Sequence, residues 1–253
     1  MHLFLITISI FFIYFQSLNA NKIEKEIKVI SYINGLSLAE ATGKIEIVDY
    51  RYNINLKANA SGIFSLFLEW EQEVQTNGII KNRIFKTYVY QSDDKRGKKR
   101  GHMKLSFINM LPEILSAHPD PLNDDRRKIT DQKILLQSLD PVAGIINLSK
   151  NSDCNQDSKI FDGKRRYDLI IKFVAEEEIE IKEFNQKRIK AIKCEFEIKK
   201  LAGYTKKEIV KYPSKGFIWF SSSNNDNLFL PVKVLIRTTW GKFICYFEER
   251  NIL

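Results

Sequence analysis

The chain has 253 residues, 44% hydrophobic and 28% charged, with only 11 Gly and 6 Pro; that composition folds rather than staying disordered, and it buries roughly 70–75% of the unfolded surface without a metal or a disulfide net. Three Cys exclude a disulfide-rich mini-scaffold, and three His leave few nitrogen ligands for a metal site. The formal charge is +9, which favours anionic surroundings but names no partner.

Residues 3–15 read LFLITISIFFIYF, broken only by Thr7 and Ser9, and Ala20 precedes the first lysine, Lys22. An apolar run of about 13 residues ending near a small residue is a secretory signal and is too short for a relaxed membrane span of about 20 residues. Residues 1–20 are therefore read as a signal peptide cleaved after Ala20, although only Met1 and His2 precede the run. An uncleaved anchor and a buried N-terminal strand are the alternatives. Residues 21–253 are read as a single β-rich domain, soluble after cleavage and exported to a Gram-negative type periplasm.

Past this point the chain alternates with period two. Tyr50, Tyr52, Ile54, Leu56 and Ala58 fall on one face; Tyr167, Leu169, Ile171 and Phe173 on another; Cys194, Phe196 and Ile198 on a third. One wet and one dry face per strand is the mark of antiparallel sheet. Asn34-Gly35, Asn77-Gly78 and Asp162-Gly163 read as hairpin turns, since these pairs tolerate positive φ. Gly62 to Phe67 is expected to form one helical turn, and residues 109–135, with Pro112, Pro119 and Pro121, a long surface connection. Asp140 as N-cap and Pro141 as first residue start a helix reaching Leu148. Near the C-terminus Leu230, Val232, Val234 and Ile236 form a stripe expected to be buried, with Lys233 and Arg237 wet. Trp240-Gly241 then turns the last hairpin. The expected fold is mainly β: ten to thirteen strands in a large antiparallel sheet, curled into an open or closed barrel-like domain with one short helix.

An oxidising compartment makes a Cys154–Cys194 disulfide the favoured pairing, with Cys194–Cys245 as the rival. Closing about 40 residues between the first two contributes about 4 kcal/mol by chain entropy. Lys95, Arg96, Lys98, Lys99 and Arg100 form a basic loop with two readings, a solvated hairpin tip or a weak contact with an anionic membrane surface. No aromatic interrupts that loop, which argues against nucleic acid. His118, Asp120, Asp124 and Asp125 lack the spacing of a calcium or zinc site, so no cofactor or metal is expected. Nucleophile-elbow, zinc-protease, dinucleotide and phosphate-loop motifs are absent, and no catalytic residue is assigned.

Several segments together resemble a known family. They are Gly35 with Ala39-Glu40-Ala41; Ser61-Gly62; Leu139-Asp140-Pro141; Phe161-Asp162-Gly163-Lys164-Arg165-Arg166-Tyr167-Asp168-Leu169; Ala202-Gly203-Tyr204; and Pro231-Val232-Lys233. In this order after a signal peptide, they resemble the exported bacterial family catalogued as domain of unknown function 3108, from about residue 25 to 250. One departure is Ile79-Ile80-Lys81, which lacks a proline after Asn77-Gly78. The resemblance implies a mostly β exported protein and brings no catalytic residues.

Two readings of function follow. The first is a non-enzymatic envelope protein that binds a hydrophobic ligand, a lipid or an envelope partner. Its apolar concavity would be lined by Phe64, Phe67, Trp70, Trp219, Phe220 and Trp240. The alternative is a hydrolase acting on a cell-envelope polymer, which needs a convergent set of titratable groups.

Overall fold

In the computed structural model, residues 22–127, 129, 131–149, 154–221 and 230–251 are described; the expected signal peptide lies outside them. Among these residues, thirteen strands form one antiparallel sheet. The first half comprises β1 (Lys22–Ile33), β2 (Leu36–Val48), β3 (Arg51–Ala60), β4 (Trp70–Lys81), β5 (Ile84–Arg96), β6 (Lys99–Ile108) and β7 (Leu111–His118). The second comprises β8 (Gln156–Phe161), β9 (Arg166–Ile181), β10 (Lys187–Ala202), β11 (Lys215–Ser221), β12 (Pro231–Thr238) and β13 (Gly241–Asn251). Each half is a meander, and β1 pairs with β13, so the sheet runs β7 to β1 and then β13 to β8. It curls into a nearly closed barrel whose two edges are β7 and β8.

The seam between these edges is covered by the 119–140 connection and by α1 (Pro141–Leu148). Leu139 adds a parallel bridge to Ile160, which shields the β8 edge. Asp140 caps α1, its Oδ1 accepting the amides of Val142 at 2.8 Å and Ala143 at 3.2 Å. The helix packs into the barrel. Gly144 allows this, because a Cβ there would lie 2.6 Å from Ile160 Cγ1. Asn147 clamps the Phe85 backbone from both sides, accepting its N–H at 2.8 Å and donating to its carbonyl at 2.9 Å. Around α1, Ile45, Ile54, Leu105, Leu148, Ile160 and Ile171 are buried. Cys154 and Cys194 form a disulfide with Cα atoms 5.9 Å apart, and Cys245 is free.

Four local readings are corrected. Asn77-Gly78 is no turn: β4 runs through it with a register shift, and Asn82-Arg83, both at positive φ, reverse the chain. Within 109–135, Leu111–His118 is a strand; Pro112 fits because β7 is a sheet edge. Phe173 is exposed because β8 pairs with β9 only up to Ile171. Val234, Ile236 and Lys233 are half-buried, whereas Leu230 and Val232 are buried. Lys233 is not simply wet because the β9–β10 hairpin end curls onto the face opposite α1. There Ile181, Phe184 and Trp219 build a second apolar cluster, and the Lys233 ammonium lies 4.6 Å from the Trp219 ring centre.

Candidate functional site

Strand register places Val74, Leu56, Gly43 and Ile27 side by side on the concave face. The neighbouring row holds Gln72, Ala58, Ala41 and Val29, with Phe247 beyond on β13. These residues are half-buried, whereas Ile45 and Ile54, two positions along under α1, are fully buried. The helix therefore fills only part of the interior. Gly43 lets the Leu56 side chain lie across it, since a Cβ there would be 2.4 Å from Leu56 Cδ2. A depression of about 590 Å³ at this row is lined mostly by polar side chains that register places on the opposite, convex face, among them Lys28, Lys44, Lys57 and Glu73. On the concave face Lys25, almost fully buried, is ion-paired with Glu249. Cys245 shares a hydrogen bond with Ser31 at 3.2 Å, and burial pushes its thiol up to about 11, so it stays protonated.

Val74 also lines a second cleft of about 390 Å³, between β4–β6, the start of α1 and the β8–β9 turn. Tyr90, Val142, Lys164, Arg165 and Tyr167 contribute to its wall. Asp162 folds the turn: its Oδ1 accepts the amides of Lys164 at 2.9 Å and Arg165 at 2.7 Å, and its Oδ2 accepts Arg165 Nε at 2.8 Å. Burial pushes the Tyr90 and Tyr167 phenols well above their ordinary range. Behind the turn, buried Arg166 donates to the Ile134 carbonyl at 2.9 Å and to Asp168 at 2.7 Å, tying the connection to β9. Arg127 grips Glu208 with two bonds of 2.6 and 2.8 Å at the start of α2 (Lys206–Lys211). Burial raises the Glu208 carboxyl, but Arg127 and the Thr205 amide outweigh it and hold it at about 2. Gly203 sits at φ 77°, where a Cβ would lie 1.8 Å from the Lys164 carbonyl oxygen. Gly203→Ala is therefore expected to cost about 3 kcal/mol, through positive φ and overpacking together; urea unfolding measures it, and an unchanged midpoint would contradict this close packing of Gly203 on the turn.

The chain matches the family described as Protein of unknown function (DUF3108) over residues 28–247. It belongs to that family. Its fold is similar to the crystal structure of a β-barrel-like protein of domain of unknown function DUF1849 from Brucella abortus, with TM-score 0.51 and 9% identity, covering 91% of this chain and 98% of that one. No curated protein matches it. In this DUF3108 member three of the segments that carry the family resemblance meet beside the seam: Asp140-Pro141 starts the plug, Asp162 to Asp168 form the turn and its tie to the connection, and Gly203 packs on that turn.

The six aromatics singled out from the sequence do not line one surface. Trp219 and Phe220 are buried in different clusters on opposite faces of β11, Phe64 and Trp70 are half-buried, and Phe67 and Trp240 are exposed. The half-buried part of the concave face is made instead mainly by aliphatic and small residues on β1–β4, whose alternation was legible but whose incomplete covering was not. Of the basic loop, Lys95 and Arg96 end β5, Lys98 lies in the turn, and Lys99 and Arg100 begin β6. Lys95 pairs with Glu71 at 3.2 Å and Arg96 with Asp94 at 3.2 Å. Asp120 and Asp124 cap short turns, accepting the Leu122 and Arg126 amides.

One arrangement escaped the sequence reading. Asp93, His102 and Ser116, on β5, β6 and β7, form a hydrogen-bonded line, Asp93 to Nδ1 at 2.6 Å and Ser116 to Nε2 at 2.8 Å. Residues so far apart in the chain become neighbours only through strand register. The line lies on the convex face, with the Asp93 and His102 side chains 46% and 32% exposed. A hydrolytic triad buries its orienting carboxylate.

Proposed function

We propose that this exported protein is a non-enzymatic carrier that holds an apolar chain, such as the acyl chain of a lipid, against the open part of its concave face. The observation that carries the reading is the half-buried concave row Ile27, Gly43, Leu56 and Val74 beside the α1 plug. Apolar surface left open inside a barrel favours an apolar occupant by roughly 0.8 kcal/mol per buried methylene. Export is supported by the 3–15 apolar run and by the buried disulfide. The hydrolase alternative has the Asp93–His102–Ser116 line as its observation, and its exposure weighs against it.

The test is titration with a fluorescent fatty-acid probe. The native protein is expected to bind it, and Ala41→Trp, which fills the second concave row, to weaken binding at least about tenfold with little change in unfolding midpoint. Absence of probe binding by the native protein, or equal binding by Ala41→Trp, would refute the carrier reading.

A further inference from the structure

In a meander, connections alternate between the two ends of the sheet. The turns at 34–35, 61–69, 97–98 and 239–240 and the α2 segment all leave from one end. They also touch in sequence around it. The Gly97 amide donates to the Glu69 carbonyl at 2.8 Å, and the Ser61 amide donates to the Leu38 carbonyl at 3.0 Å. Asn34 Nδ2 donates to the Trp240 carbonyl at 3.0 Å, and the Lys211 ammonium lies 4.8 Å from the Trp240 ring centre.

This arc carries apolar side chains that the fold does not use. The 3-10 turn Gly62–Leu66 buries no residue at all. Leu66 and Phe67 are 76% and 83% exposed, Val210 on α2 is 85% exposed and Trp240 63%. Isolated exposed apolar residues are ordinary, but a continuous apolar rim marks a contact surface. Charge identifies the contact. The five cations of Lys95–Arg100 are bound to the base of the Phe67 loop through Gly97 and Glu69. Lys98 and Lys99 meet no carboxylate among the described residues, and the Lys95 and Arg96 pairs are exposed ones of small worth. An apolar loop that can enter the headgroup layer, flanked by cations that can meet lipid phosphates, is the composition of an interfacial anchor.

We infer that this rim docks on an anionic lipid bilayer, with Leu66 and Phe67 inserted and Lys98 and Lys99 on the headgroups. The inference goes beyond the carrier reading and does not need it: a protein that docks but carries nothing satisfies it. The test is co-sedimentation of the mature chain with vesicles of phosphatidylcholine alone, and of phosphatidylcholine and phosphatidylglycerol in equal parts. The native protein is expected to pellet with the anionic vesicles, less so as salt rises. Lys98→Ala and Lys99→Ala should each weaken that binding roughly fivefold. Phe67→Ser should weaken it about tenfold, and because all three side chains are exposed, circular dichroism should stay unchanged. No binding by the native protein, equal binding to both vesicle types, or full retention by Phe67→Ser overturns the inference. So does a solution dimer that Phe67→Ser dissolves, since a second copy would then be the occupant.

Discussion

Asp140→Ala is expected to lower stability by about 4 kcal/mol. The Asp140 carboxylate is fully buried, and its two oxygens serve different elements. Oδ1 accepts the first amides of α1, and Oδ2 accepts the Thr76 and Thr87 hydroxyls of β4 and β5, the first at 3.1 Å. Tyr52 in turn donates to Thr87 at 3.2 Å. Alanine would leave the helix uncapped and strand hydroxyls unpaired in the core; relief from burying a charge trims this penalty without reversing it. Asp140→Asn keeps an acceptor for the amides and is expected to cost only about 1 kcal/mol. It should also alter the pH profile. Burial raises the Asp140 carboxyl above its ordinary value, against the four hydrogen bonds that lower it. A raised folded pKa means the fold favours the protonated form. Its contribution is therefore fullest below the ordinary value near 4 and declines as pH rises through the folded value. Urea titrations from acid to neutral pH should show that decline in the native protein and a flatter course in Asp140→Asn. Equal slopes would contradict a raised value.

Removing the disulfide is expected to have an effect of the same size. Cys154 and Cys194 are 40 residues apart in sequence, and closing that loop restricts the unfolded chain by about 4 kcal/mol. The bridge ties the segment after α1 to β10, so its loss also loosens the plug. For a chain of this size the change corresponds to a fall in melting temperature of roughly 8–16 °C. The Cys154→Ala, Cys194→Ala double variant, compared with the oxidised protein by calorimetry, measures it. A fall below about 2 °C would show that the bridge contributes little. Cys245→Ala, tested alongside, removes the free thiol and should leave the response to reductant intact.

Local chemistry made much of this architecture legible. Period-two alternation, Asn34-Gly35 and Asp162-Gly163 act over a few residues, so they marked strands and turns where the structure has them. Asp140-Pro141 did the same for the helix, because an N-cap and a first-turn proline need no distant partner. The Cys154–Cys194 pairing was expected from an oxidising setting and from the loop and strand placement of the two cysteines, and the structure has it. The misread places are those where a neighbouring strand decides. Asn77-Gly78 has turn chemistry, yet β3 and β5 hold it in the ladder, and Asn82-Arg83 turns the chain without a glycine. Pro112 looks like a strand breaker until β7 proves to be an edge.

The amino-acid sequence thus determined the class of fold, the plug helix and the covalent bridge, all matters of local backbone preference and side-chain chemistry. Tertiary structure alone decided where apolar surface stays uncovered. Trp219 and Phe220 are adjacent and alike in composition, yet pleating sends them to opposite faces. Ile45 and Gly43 lie on one face of β2, and α1 covers the first and stops short of the second. Phe67 and Lys98 are thirty-one positions apart and share a rim because β3 to β6 return their ends to it. Burial is a property of what packs above a residue, and that is set by sheet curvature and strand register across the whole barrel.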